Sequence, residues 1–242
     1  MKSQHQVVFS LGSNQGQRLE TIIQCIDVLH LEVGTVLKIS PVYESPAWGF
    51  ESTPFYNCAL VLHTNASPTQ VLNKILKIEK RLGRVRTATV GYAARSIDID
   101  IIAYDELVLD TEKLKLPHPL MQDRNFVLLP FRDLQLNWIH PIFKKSILEL
   151  IVETTDNSIC QAVATIPTPL SSIPLEKFNY IAFEGNIGAG KTTLTNKIAE
   201  DFNAKTVLER FADNPFLPKF YKDQNRYAFP LEMSFLADRY QQ

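Results

Sequence analysis

Asp98 and Asp100 stand two positions apart in the run Arg-Ser-Ile-Asp-Ile-Asp-Ile-Ile, residues 95–102, where they alternate with isoleucines. A period of two belongs to a strand and sends both carboxylates to one face and the isoleucines to the other. Paired oxygen donors of this kind suit Mg2+, which keeps several waters and is completed by substrate phosphates. From the strand alone, an edge strand with a solvated acidic face fits equally well. Arg81, Arg84, Arg86 and Arg95 precede the pair in a segment that also holds Gly83 and Gly91. Guanidinium groups give bidentate donors to phosphate while a divalent cation bridges its oxygens, so the combination favours a bound polyphosphate.

A second phosphate signal lies far along the chain. Gly-Asn-Ile-Gly-Ala-Gly-Lys-Thr, residues 185–192, fits G-x-x-x-x-G-K-T, the P-loop pattern. It follows the apolar stretch at 180–184, read as a strand, and leads into a helical pattern with Leu194, Ile198 and Phe202. Gly185, Gly188 and Gly190 would let backbone N–H groups cradle phosphates. Lys191 would reach the terminal phosphate oxygens and Thr192 would ligate Mg2+.

The elements that must hold these residues are legible from periodicity. Residues 7–11 are a short β-branched run, followed by a polar turn at 12–16 and by Leu19, Ile22, Ile23, Ile26 and Leu29 at helical spacing. Two more strands are predicted at 36–43 and 56–63, joined by a loop with Pro46, Trp48, Gly49, Phe50, Pro54 and Phe55. Such aromatic loops are more often functional than structural. Ser67, Pro68 and Gln70 form a helix start with N-cap, proline and capping-box glutamine, and Val71, Leu72, Ile75, Ile78 and Leu82 continue it. The run Thr-Ile-Pro-Thr-Pro-Leu-Ser-Ser-Ile-Pro-Leu-Glu from Thr165 reads as a linker. The predicted organisation is a domain at 1–164, a linker at 165–177 and a second unit at 178–242.

Composition limits the partners. Among 242 residues, 25 basic and 26 acidic side chains leave a net charge of -1, so no global field favours nucleic acid. Cys25, Cys58 and Cys160 are too scattered for a disulfide framework or a structural zinc site, which suggests reduced thiols. The amino terminus lacks the apolar core of a signal peptide, and no run approaches the roughly 18 apolar residues of a membrane span. A cytoplasmic protein without membrane or nucleic-acid partners is expected.

With these motifs in place, the first unit resembles 6-hydroxymethyl-7,8-dihydropterin pyrophosphokinase, a folate-pathway family. The resemblance rests on GSN at 12–14, SPVYESPAWG at 40–49, FYN at 55–57, GRVR at 83–86, RSIDIDII at 95–102, PHP at 117–119 and DRNFVLLP at 123–130, in order. It implies an α+β, ferredoxin-like domain that moves a pyrophosphoryl group from ATP to the pterin hydroxymethyl group and releases AMP. It further implies that Asp98 and Asp100 hold two Mg2+ ions, that Arg84, Arg86, Arg95 and Arg124 clamp phosphates, and that His118 hydrogen-bonds them. Phe55 and Phe126 would sandwich the pterin, Asn57 would read its edge, and Gly49 would lie in the pterin loop. Glu79 corresponds to a residue near the ATP site, though a structural role on its helix fits equally well.

The second unit resembles the start of a deoxynucleoside kinase, carried by the P-loop, ERFADNPFLPKFY at 209–221 and RYAFPLEMSFLADRYQQ at 226–242. That implies a general base at Glu209, a sugar contact at Tyr221, and Glu232 where many relatives read the base with glutamine. The segment is too short for a whole P-loop α/β kinase sheet. An incomplete kinase unit of two strands and about three helices is expected, exposing Phe229, Leu231, Phe235 and Leu236. The alternatives are a bifunctional enzyme that phosphorylates deoxynucleosides when this unit is completed by further sequence or association, and a nucleotide-binding or interaction module without catalysis.

Overall fold

The computed structural model describes residues 4–84, 94–171, 177–186, 188–208 and 214–241. The chain divides into two units, Met1–Ile173 and Pro174–Gln242.

In the first unit, strand β1 (His5–Ser13) leads to helix α1 (Arg18–Glu32), then β2 (Thr35–Ile39), β3 (Val42–Ser45) and β4 (Phe55–Thr64). Helix α2 (Pro68–Arg81) returns the chain to β5 (Asp98–Tyr104). The short pair β6 (Leu109–Asp110) and β7 (Lys115–Leu116), a 3-10 turn at Met121–Asp123, α3 (Asn125–Asp133), α4 (Ile147–Glu153) and β8 (Gln161–Ala164) complete it. The main sheet runs β5-β1-β4-β3-β8, with β2 also on β4, and every pairing is antiparallel.

Both faces of the sheet are covered. Val7, Phe9 and Leu11 of β1 meet Ile22, Cys25, Ile26 and Leu29 of α1 and Val71, Ile75 and Ile78 of α2. On the opposite face Val8, Ala59 and Val61 pack with Val127, Leu128 and Phe131 of α3 and Ile147 and Leu150 of α4. The capping box expected at Ser67 is present, with Ser67 Oγ accepting from Gln70 N and Gln70 Oε1 from Ser67 N. Such a cap contributes about 1 kcal/mol and fixes where α2 begins.

The strand expected at 36–43 is two strands. Pro41 has no N–H for the ladder, and Ser40 secures the break by exchanging bonds with Ala59: Ser40 N donates to Ala59 O (2.8 Å), and Ala59 N to Ser40 Oγ (2.9 Å). Helix α4 starts at a second capping box, Ser146 with Glu149, which the sequence reading did not use, and α3 contains Pro130.

The second unit contains α5 (Lys191–Phe202), α6 (Leu217–Phe220) and α7 (Gln224–Gln241). The strand expected at 180–184 does not form: no described residue of this unit lies in a strand. Among the described residues of this unit there is no second strand for it to pair with, and a single strand has no ladder to satisfy its peptide groups. Phe229 and Leu236 are exposed as expected, but Leu231 and Phe235 are buried.

Candidate active site

The chemistry-bearing residues of the first unit meet at one end of the sheet. Gly12 of β1 stands between Asn57 of β4 and Asp98 of β5, its partners on either side. A Cβ on Gly12 would lie 3.0 Å from Asn57 Oδ1 and 4.0 Å from Asp98 Cβ, so a side chain there would crowd the floor. Above it lies a cavity of about 300 Å³, and Phe55, Asn57, Arg84, Arg95, Asp98, Asp100, His118, Arg124 and Phe126 all line it. Gly49 is in the aromatic loop with φ 79° but outside the cavity lining. Arg86 lies outside the described residues.

At the acidic end, Asp98 takes a guanidinium on each oxygen, Arg84 Nη1 on Oδ1 and Arg95 Nη1 on Oδ2. Arg84 also reaches Glu79 Oε1, and that same oxygen accepts from Ile99 N at 2.9 Å. Glu79 is only 2% exposed, which its position on a charged helix surface concealed. Asp100 follows on the same face, where burial and the neighbouring Asp98 push its carboxyl up to about 7, against the pull of Arg124 and Arg95. Two carboxylates on one face, one paired with arginines and one whose charged form is disfavoured, make a site that a divalent cation would relieve. Among the described residues no cluster of three or more His, Cys, Asp or Glu forms a protein-only metal cage. By the chemistry of its oxygen donors, the carboxylate pair fits Mg2+ held jointly with phosphate oxygens.

At the apolar end, Phe55 and Phe126 enter from β4 and α3, with Trp48, Phe50, Pro119 and Leu120 around them. Phe50 meets Phe55 edge to face at 6.3 Å. Asn57 is buried and donates Nδ2 to Ser45 Oγ at 2.8 Å, which orients its amide. This half offers two aromatic faces and a fixed polar edge to a flat heterocycle.

His118 and Arg124 stand between the two ends. His118 N donates to Ile102 O (2.9 Å), and its Nδ1 accepts from Leu120 N (3.2 Å). Burial and then the charge of Arg124 lower its pKa to about 4, so the ring is neutral with its proton on Nε2, a donor for a phosphate oxygen. Arg124 is 6% exposed and lies 4.8 Å from the Trp48 ring centroid and 5.6 Å from that of Phe126.

Three residues with no role or an open one from sequence are part of this construction. Trp48 belongs to a loop marked as aromatic without a task. Glu79 is the buried tether just described. Asn14, visible only as the end of GSN, ties three segments together: Nδ2 donates to Ser52 Oγ (2.9 Å), Oδ1 accepts from Arg95 N (2.7 Å), and its carbonyl accepts from Thr53 Oγ1 (2.8 Å). Its buried amide joins the aromatic loop to the arginine that pairs with Asp98.

The Gly-rich motif of the second unit is described apart from Ile187. Gly190 takes φ 81° and caps α5, while Gly188 has φ 80° and Gly185 φ 157°. Positive φ at Gly190 lets the loop turn directly into the helix, which a Cβ would strain. Lys191 Nζ donates to Gly185 O (2.6 Å) and Asn186 O (2.9 Å), folding over the loop, and Thr192 is exposed in the first turn. The expected base, Glu209, lies outside the described residues.

Comparison with known proteins gives two family matches. Residues 8–136 match the 7,8-dihydro-6-hydroxymethylpterin-pyrophosphokinase (HPPK) model, and residues 181–242 match the deoxynucleoside kinase model. The chain is 41% identical over 155 residues to a 2-amino-4-hydroxy-6-hydroxymethyldihydropteridine pyrophosphokinase of Aquifex aeolicus, covering 64% of this chain and 95% of that protein. A Porphyromonas gingivalis protein of the same name is 38% identical over 138 residues, covering 56% of this chain and 93% of its own length. A crystal structure of Plasmodium falciparum HPPK-DHPS superposes with a TM-score of 0.51 at 14% identity, over 63% of this chain and 46% of that one. The likeness to that structure concerns the fold, and the chain spans less than half of its length.

Proposed function

The chain belongs to the 7,8-dihydro-6-hydroxymethylpterin-pyrophosphokinase family, and on that premise we propose how its residues carry out pyrophosphoryl transfer from ATP to the pterin in folate biosynthesis. The first unit runs β-α-β-β-β-α-β, and with β2 and β3 counted as one strand broken at Pro41, both paired to β4, this order supports a ferredoxin-like domain. One observation carries the proposal: a single cavity joins an aromatic, amide-edged end to an arginine-rich, paired-carboxylate end.

Phe55 and Phe126 sandwich the pterin, Asn57 reads its edge, and Gly49 lets the aromatic loop turn beside Trp48. Asp98 and Asp100 would hold Mg2+, two ions by family resemblance. Bound there, Mg2+ neutralises the triphosphate and makes its β-phosphorus more electrophilic. Arg84 and Arg95, both paired to Asp98, would be available to the phosphates once that carboxylate is engaged, and Arg124 and Arg86 would complete the clamp. Neutral His118 donates Nε2–H to a phosphate oxygen. The pterin hydroxymethyl oxygen attacks the β-phosphorus, the bond between that phosphorus and the α,β-bridging oxygen breaks, AMP leaves, and the hydroxyl proton passes to solvent. The protein's contribution is positioning and charge stabilisation. Asp98→Ala should remove pterin-dependent AMP formation by at least about 100-fold; unchanged turnover would refute the metal role.

A second reading concerns the other unit and rests on its family match and on the glycine turn at α5. There the loop from Gly185 to Gly190, with Lys191 and Thr192, binds nucleotide phosphates, and a deoxynucleoside is the acceptor where phosphorylation follows. Formation of a deoxynucleoside monophosphate from ATP separates an active kinase unit from a binding module. A cytoplasmic location accords with the composition, and among the described residues no helix is long and apolar enough to cross a membrane.

A further inference from the structure

Trp48 is half-buried in the aromatic loop and lines the apolar end of the cavity. The Arg124 guanidinium is near two rings: Trp48 from the loop at 4.8 Å and Phe126 from α3 at 5.6 Å. Its backbone is the N-cap of α3, where φ -136° and ψ 106° are extended rather than helical, so the side chain leaves the helix start toward the cavity. It lines the same cavity as Asp98, Asp100 and His118, the groups proposed to meet the nucleotide phosphates. A guanidinium that is 6% exposed gains more from an aromatic face than an exposed one does, because water no longer screens the contact.

The loop bearing Trp48 is also anchored to the acidic end. Asn14 holds Ser52 of that loop with the same side chain that accepts from Arg95 N. The loop is therefore tied to Arg95 through hydrogen bonds and to Arg124 through a ring.

We propose that Trp48 is a positioning residue for Arg124, stacking on its guanidinium so that the loop enclosing the pterin also sets this arginine for the nucleotide phosphates. This rests on the proposed phosphate role of Arg124. Trp48 touches the arginine and acts on the reaction through it. The device makes nucleotide handling sensitive to a residue on the pterin side of the cavity. It needs a flat, electron-rich face at position 48, which phenylalanine supplies in part and leucine does not.

The test uses the full chain labelled with 5-fluorotryptophan, whose two signals, Trp48 and Trp138, are assigned by the loss of one in Trp48→Phe. Adding Mg2+ with α,β-methylene-ATP should shift the Trp48 signal, and Arg124→Met should abolish that shift. In steady-state assays Trp48→Leu should lower kcat/KM for ATP about tenfold, and Trp48→Phe should restore most of the loss. The KM for pterin should change less than threefold. If wild-type protein turns over while Trp48→Leu matches it, and the Trp48 signal ignores nucleotide, the positioning role is overturned and the pyrophosphokinase activity stands. If the Trp48 signal responds equally in Arg124→Met, the ring reports something other than the guanidinium and the proposal also fails. An inactive wild-type chain would count against the activity itself. Should Trp48→Leu fail to fold, the nucleotide shift and its dependence on Arg124 still decide the question.

Discussion

Asp100 shows how much of the site lies in single side chains. Its carboxyl is raised from 3.8 to about 7 by burial and by Asp98, so folding without a cation disfavours its charged form. The folded protein then binds more protons than the unfolded chain between about pH 4 and 7. The stability associated with protonated Asp100 is full below pH 4 and falls as pH rises through 7. Asp100→Asn, with Mg2+ absent, should raise the melting temperature by about 5 °C at pH 8, and the gain should shrink to nothing near pH 4. A melting series across that range checks the sign. His118 behaves in the opposite sense: with its pKa near 4, it is neutral at the pH of assay, and its stabilising contribution is lost only as pH falls from about 6.5 toward 4. His118→Gln keeps an N–H donor and should retain more activity than His118→Ala, by about tenfold in kcat. The aspartate pair and its arginines were legible in the sequence because strand alternation fixes their face. Glu79, Asn14 and Trp48 were not, since burial, a triple hydrogen bond and a ring contact arise from segments far apart in the chain.

At the scale of elements, the central joint is between α2 and β5. Glu79 of α2 accepts from the Ile99 backbone and pairs with Arg84, which in turn pairs with Asp98. Glu79→Gln can keep the backbone bond but not the charge, so KM for ATP should rise about tenfold while kcat falls less. Glu79→Ala leaves a buried N–H and a guanidinium with one fewer anion, and should destabilise by about 2–4 kcal/mol in chemical denaturation. Helices α1 and α2 were readable from apolar spacing, and α2 also from its cap. The strand at 36–43 was misread as continuous because its apolar pattern crosses Pro41, where the ladder breaks. Helix α3, which delivers Arg124 and Phe126, was hidden by Pro130 and by an apolar run that resembles core of any type.

At the scale of the molecule, the two units differ in how their folds are built. The first has helices on both faces of one antiparallel sheet. The regular elements described in the second are helices, so the P-loop spacing was visible in sequence while, among the described residues, no strand of the expected sheet forms. If both units bind nucleotide, equilibrium titration of the full chain with a fluorescent ATP analogue and Mg2+ should give two sites, and Lys191→Ala should give one. A single site in both proteins would remove the second unit from nucleotide binding. The most direct measurement of the central claim is product identity: the chain is incubated with Mg2+, ATP and 6-hydroxymethyl-7,8-dihydropterin and followed by phosphorus NMR. The expected result is AMP and pterin diphosphate in equal amounts, both lost in Asp98→Ala; ADP in place of AMP, or products undiminished in Asp98→Ala, would contradict it.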